Sequence, residues 1–139
     1  MSSALRVGLS ATWLTTEDVS EDAVVVRVNG GLSDYRGTEL WSDLEWALER
    51  AEGRLVVADL LGVTGFDIYA LDSLAQVARA SRRRHLDFCA LMRPASALEQ
   101  YAFSCELDRL LPIYYSLSNA LAGIPEPGHR IVMASRALG

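Results

Sequence analysis

Alternating strand and helix signatures predict an α/β fold with a mostly parallel central sheet. Three observations carry that prediction. Residues 23–29 (AVVVRVN) have the β-branched composition of a strand. Residues 54–60 (RLVVADL) form a near-continuous apolar run of strand length, as in a central strand covered on both faces. Between and after these two, residues 38–52 and 69–84 repeat apolar side chains at helical spacing.

The elements follow in order. Residues 5–14 alternate weakly and predict an edge strand, and the acidic, polar residues 15–22 predict a turn. Gly30 and Gly31 are expected to end the strand over 23–29. In the first helix, 38–52, the stripe is Leu40, Leu44, Ala47, Leu48 and Ala51, and Gly53 supplies a stop. Its outer face is expected to carry Glu39, Asp43, Glu45, Glu49 and Glu52, with Trp41 and Trp46 at the margin of the stripe. Residues 61–67 contain two glycines and predict a loop. The second helix, 69–84, has the stripe Leu71, Leu74, Ala75 and Ala78. Arg79, Arg82, Arg83 and Arg84 load its end, where cations complement the helix dipole. Residues 87–92 (DFCALM) predict a buried strand stopped at Pro94. Residues 95–105 predict a third helix with Leu98, Tyr101, Ala102 and Cys105 as its stripe. A short strand over 110–114 and a helix over 116–122, capped by Gly123, complete the order ββαβαβαβα. That is a single domain with about four helices. Its parts are an N-terminal strand and acidic turn (1–22), a core (23–122) and a Pro/Gly-containing tail (123–139), with a brief apolar patch at 130–133.

Composition narrows the function classes. The chain has 139 residues, half of them hydrophobic, so it can bury a core without a metal or disulfide staple. Its net charge of −5 argues against nucleic-acid binding. All thirteen basic residues are Arg. No run approaches the ~20 apolar residues of a membrane span, and the first residues do not read as a secretory leader. The expected location is cytoplasmic. Cys89 and Cys105 are 16 apart with no CxxC, and are expected to be small buried hydrophobes with reduced thiols.

The common catalytic patterns do not occur. There is no GxxxxGK[ST], no GxGxxG after a strand and no GxSxG. His85 and His129 have no partner at metal-ligand spacing, so no metal and no cofactor is expected. Asp59 ends a buried strand and Asp67 precedes a helix. The first is where α/β sheets place their sites, and the second is a cap position. No catalytic residue is assigned, and the chain is expected not to be an enzyme. A small-ligand cleft near Asp59 and Asp67 is an alternative.

One stretch is more specific. Residues 55–71 (LVVADLLGVTGFDIYAL) resemble the "lvlDLsgVtfiDSSGL" element of STAS domains, the family of anti-sigma factor antagonists and sulfate-transporter tails. The flanks agree in order. Residues 26–40 (VRVNGGLSDYRGTEL) resemble "v.l.GelD…a..L", residues 78–94 (ARASRRRHLDFCALMRP) resemble "a.rrGg.l.lv.p", and residues 107–120 (LDRLLPIYYSLSNA) resemble "ld.llpvy.s...A". The resemblance implies a STAS-like fold. It also implies a bacterial protein-interaction module of transcription regulation that binds a serine-kinase-type anti-sigma factor or related signalling protein. In the family, phosphorylation of a serine at the head of the second helix breaks that complex. A phosphate adds about −1.5 to −2 charge, which favours separation at an interface without cations to receive it.

This chain departs from the pattern there. The two-serine element falls on Ile68 and Tyr69, so Tyr69 stands at the phosphoacceptor position and Ala70 at the following glycine. Ser33 stands where the family often has Asp, and His85 where it often has Gly. The usual serine switch is therefore not expected at this position. Three readings of Tyr69 stay open: a contact aromatic, a site of tyrosine modification, or a displaced register with Ser73 or Thr64 as acceptor. The expected partner surface is Thr64, Gly65, Phe66, Asp67, Ile68, Tyr69, Ala70 and Asp72. A self-associating (homodimeric) or scaffolding domain, using Trp41, Trp46 and the Arg79–Arg84 run, is the alternative.

Overall fold

The structure, a computed structural model, describes residues 13–33, 36–124 and 126. Five strands form one sheet in the order β1-β2-β3-β4-β5. They are β1 (Leu14–Ser20), β2 (Ala23–Leu32), β3 (Leu55–Phe66), β4 (Phe88–Leu91) and β5 (Ile113–Tyr114). The first pair is antiparallel, joined by a turn at Glu21 and Asp22, and every later pair is parallel. Helices α1 (Arg36–Arg50), α2 (Ile68–Arg83), α3 (Ala97–Ser104) and α4 (Leu117–Ala122) make the crossovers and the end of the order. A 3-10 turn, Leu107–Arg109, follows α3. The predicted α/β order ββαβαβαβα is the observed one.

Three local expectations are corrected. Residues 15–20 continue the strand rather than form a turn. Leu14 and Thr16 point inward along an edge strand, so its polar composition reflects a solvated outer face. The rest of the predicted first strand, 5–12, and the 130–133 patch lie outside the described residues, as does His129. Gly30 and Gly31 do not end β2, and 61–66 is not a loop. β2 and β3 stay paired to Leu32 and Phe66 through register shifts between Arg27 and Asn29 and between Gly30 and Gly31. Such bulges re-aim strands without ending them. Gly62 makes room there, because a Cβ would displace the Asn29 side-chain oxygen and stand 3.1 Å from the Val28 carbonyl. Finally, Asp43 is fully buried rather than on the outer face of α1, and accepts the Thr16 hydroxyl from β1.

The two sheet faces differ. On one, Val24, Val26 and Val28 of β2 and Val56, Ala58 and Leu60 of β3 pack under α1, α2 and α3 in a large core. On the other, Val25, Val57, Cys89, Leu91 and Tyr114 form a smaller cluster with Ala120 of α4. That second face also carries a charged ladder across three strands. Arg27 sits between Glu17 and Asp59, donating to Asp59 Oδ2 at 3.0 Å and pairing with Glu17. The bond to Asp59 is the main cause that raises the already high Arg27 pKa.

Candidate partner-binding surface

The head of α2 is set by its cap. Asp67 has extended backbone (φ −122°, ψ 171°), and its Oδ1 accepts the Ala70 N–H at 3.0 Å. This satisfies one of the donors that the first turn of a helix leaves free. The Asp67 N–H donates to the Leu32 carbonyl at 3.1 Å, which ties the helix start to the end of β2.

The first turn then splits between interior and solvent. Ile68 is 57% exposed and Tyr69 74% exposed, although both are large apolar side chains. Ala70 and Leu71 are buried. Ala70, placed by sequence reasoning on the partner surface, therefore offers no exposed area there. It lies against α1, where a Cβ on Gly37 would stand 3.1 Å from the Ala70 Cα. Only glycine lets the two helices approach this closely without displacement.

The remaining predicted residues surround this turn. Thr64 and Gly65 are exposed at the end of β3. Phe66 is half-buried and packs edge-on against Tyr101 of α3, with ring centroids 5.7 Å apart. Asp72 is exposed and accepts the Gln76 side-chain amide at 3.0 Å. Of the alternative acceptors, Ser73 donates its hydroxyl to the Tyr69 carbonyl at 3.1 Å and lies toward Gly37, whereas Thr64 is open to solvent. Thr64, Gly65, Phe66, Ile68, Tyr69 and Asp72 thus lie at or beside the junction of β3 and α2, where Asp67 caps the turn that carries Ile68 and Tyr69.

The carboxylate cleft does not form around its two acids. Asp59 is committed to Arg27 and accepts the Leu61 N–H of the bulge at 3.1 Å, and Asp67 is the cap. A hollow of about 510 Å³ does open at these strand ends, but Thr64, Phe66, Arg93 and Ser96 line it, and neither acid does.

Sequence reasoning missed a second concavity. A groove of about 230 Å³ runs between α2 and the α3–3-10 segment, lined by Ile68, Leu71, Ala75, Tyr101, Leu107 and Leu110 among others. Tyr101 was expected inside the α3 stripe, yet it is 37% exposed and forms part of this rim.

The thiols also separate. Cys89 is buried, and desolvation with the nearby Asp87 charge pushes its pKa up to about 12, so it is inert at neutral pH. Cys105, expected inside, is exposed. Trp41 is 39% exposed, and Trp46 lies under the Arg50 guanidinium at 4.9 Å. Among the described residues no group of His, Cys, Asp and Glu is placed to hold a metal ion, and no helix is long and apolar enough to cross a membrane.

Known structures share this architecture. An anti-sigma factor antagonist from Mycobacterium paratuberculosis is 22% identical, with a TM-score of 0.65 over 83% of this chain and 97% of its own. A candidate anti-sigma factor antagonist from Thermotoga maritima is 17% identical, with a TM-score of 0.66 over 81% and 95%. A sulfate transporter family protein from Wolinella succinogenes is 14% identical, with a TM-score of 0.55 over 85% and 93%. At these identities the likeness establishes the fold. No curated protein matches the chain in sequence. The sequence profile of the STAS domain matches residues 15–120, from β1 into α4, and with the sheet order and the capped second helix described above it establishes that this chain belongs to the STAS domain family.

Proposed function

We propose that this STAS domain is a non-enzymatic, cytoplasmic protein-interaction module of transcription regulation. It binds a serine-kinase-type anti-sigma factor or a related signalling protein through the head of α2. The observation that carries this reading is the exposure of Ile68 and Tyr69 on a turn held by Asp67. Large apolar side chains on a rigid, capped turn contribute binding area with little ordering entropy, and tyrosine is enriched among the residues that dominate interfaces. The two antagonist structures above support the partner class through the shared fold.

The module binds without the serine switch. The acceptor position holds Tyr69, and the nearby Ser73 hydroxyl is engaged with the helix backbone. A serine kinase therefore has no free serine at the head of α2.

Titration calorimetry against each serine-kinase-type anti-sigma factor of the source genome tests this. Binding is expected for the wild type, and Tyr69→Ala should weaken it by about tenfold or more, equivalent to about 1.4 kcal/mol. With ATP, the wild type should stay unphosphorylated and Tyr69→Ser should gain a phosphate. No binding to any such protein, combined with a stable dimer by light scattering, would overturn the reading in favour of self-association.

A further inference from the structure

We propose that the groove between α2 and α3 seats one apolar side chain from an acidic partner segment. The partner would then present a hydrophobic anchor flanked by Asp or Glu. The inference deepens the reading above and rests on it in one respect: both place the partner on the outer side of α2.

Size is the first argument. At about 230 Å³ the groove lies below the ~300–1,000 Å³ of small-molecule sites, and suits a single large side chain. Its lining is the second. Leu71, Ala75, Leu107 and Leu110 make it apolar, and Ile68 and Tyr101 extend apolar surface at the rim. The groove is continuous with the exposed turn at Ile68 and Tyr69, so one partner segment can cover both.

Charge selects the flank. The chain is acidic overall, yet the groove leads into a basic end. Arg79 lines it, and Arg82 and Arg83 continue the same helical face at the three- and four-residue spacing of groove residues Ala75 and Arg79. Across the groove, Arg109 is exposed beside Leu107 and Leu110, and Arg82 donates to its carbonyl at 2.7 Å. Arg109 is partly offset by Glu106 at 3.3 Å. Asp72, the acid on the groove, lies at the opposite end and is held by Gln76. Arg79 precedes the last turn of α2, so the helix dipole, whose effect fades within that turn, does not account for it. A partner with acidic residues beside its anchor meets this arrangement with complementary charge.

Cys105 also lines the groove and is exposed, whereas Cys89 is buried, so disulfide tethering at Cys105 reports occupancy directly. The probes are three peptides of equal length, each carrying one cysteine as its mixed disulfide with glutathione. One is Leu/Phe-rich and acidic, one Leu/Phe-rich and basic, and one polar and acidic. Intact mass reads capture at equilibrium. The apolar acidic peptide should be captured about tenfold more than either other. The double variant Arg79→Glu with Arg83→Glu, both on exposed positions, should shift the preference to the basic peptide. Ala75→Trp should fill the groove and level the three, while modification by glutathione itself persists. Equal capture of the three peptides, or a ranking unchanged by the charge reversal, overturns the proposal. A failure here alongside anti-sigma factor binding removes the groove and keeps the proposed function. The reverse outcome keeps the groove and removes that partner class.

Discussion

On its inner side α2 is packed nearly to the backbone. Ala70 lies against Gly37, and Leu74, Val77 and Ala78 are buried beneath α1 and over the sheet. On its outer side the same helix holds Ile68 and Tyr69 in solvent and borders an apolar groove. Residues one position apart, Tyr69 and Ala70, differ between 74% and 0% exposure. A single turn therefore divides its side chains, with Ala70 and Leu71 packed into the fold and Ile68 and Tyr69 left in solvent. Substitutions on the two sides should separate stability from binding.

The largest contrast comes from Leu74 and Tyr69. Leu74→Ala leaves a cavity in a close-packed core and should lower unfolding free energy by about 2–5 kcal/mol. Tyr69→Ala should stay within about 0.5 kcal/mol, since the ring has little packing to lose. Urea melts of both variants check this. A loss above about 1 kcal/mol for Tyr69→Ala would mean that the ring supports the fold, and the division would fail.

Asp67 sits on the boundary between the two sides and should affect both. Asp67→Ala removes the acceptor for the Ala70 N–H and should lower stability by about 1 kcal/mol, within the 0.5–2 range for lost caps. It should also weaken partner binding by loosening Ile68 and Tyr69. Asp67→Asn keeps a capping oxygen and should restore both properties. If stability returns and binding does not, the Asp67 charge itself meets the partner.

The fold was legible because its signals are local. Val-rich β2, apolar β3 and the helical stripes each declare their type over a few residues, and the order of alternation fixes the architecture. What failed depended on partners distant in sequence. Gly62 and Gly65 look like loop residues, but pairing with β2 makes them strand. Asp43 looks like a surface acid until Thr16 of β1 meets it. The same rule holds at the site. The exposed head of α2 follows from a motif and a cap, both contiguous in sequence. The groove is built where α2 meets Tyr101, Leu107 and Leu110 from a later segment, and no single stretch announces it.

The smallest effect tests the far end of α2. Here the Leu86 N–H donates to the Ser81 carbonyl at 2.8 Å and the His85 N–H to the Arg82 carbonyl at 3.2 Å. These are the paired bonds of a Schellman ending, which places the donor of the inner bond in the left-handed region. That residue is His85, with φ of 57° and an exposed side chain. A residue with a Cβ is strained there, and glycine is not. His85→Gly should therefore stabilise the chain by about 0.5–1 kcal/mol, raising Tm by a few degrees. Because the position is remote from Tyr69, binding at the head of α2 should be unchanged. A variant that instead melts lower, or binds more weakly, would show that the imidazole makes a contact worth more than the backbone strain. In that case the C-terminal end of α2 would join its outer side as a functional surface.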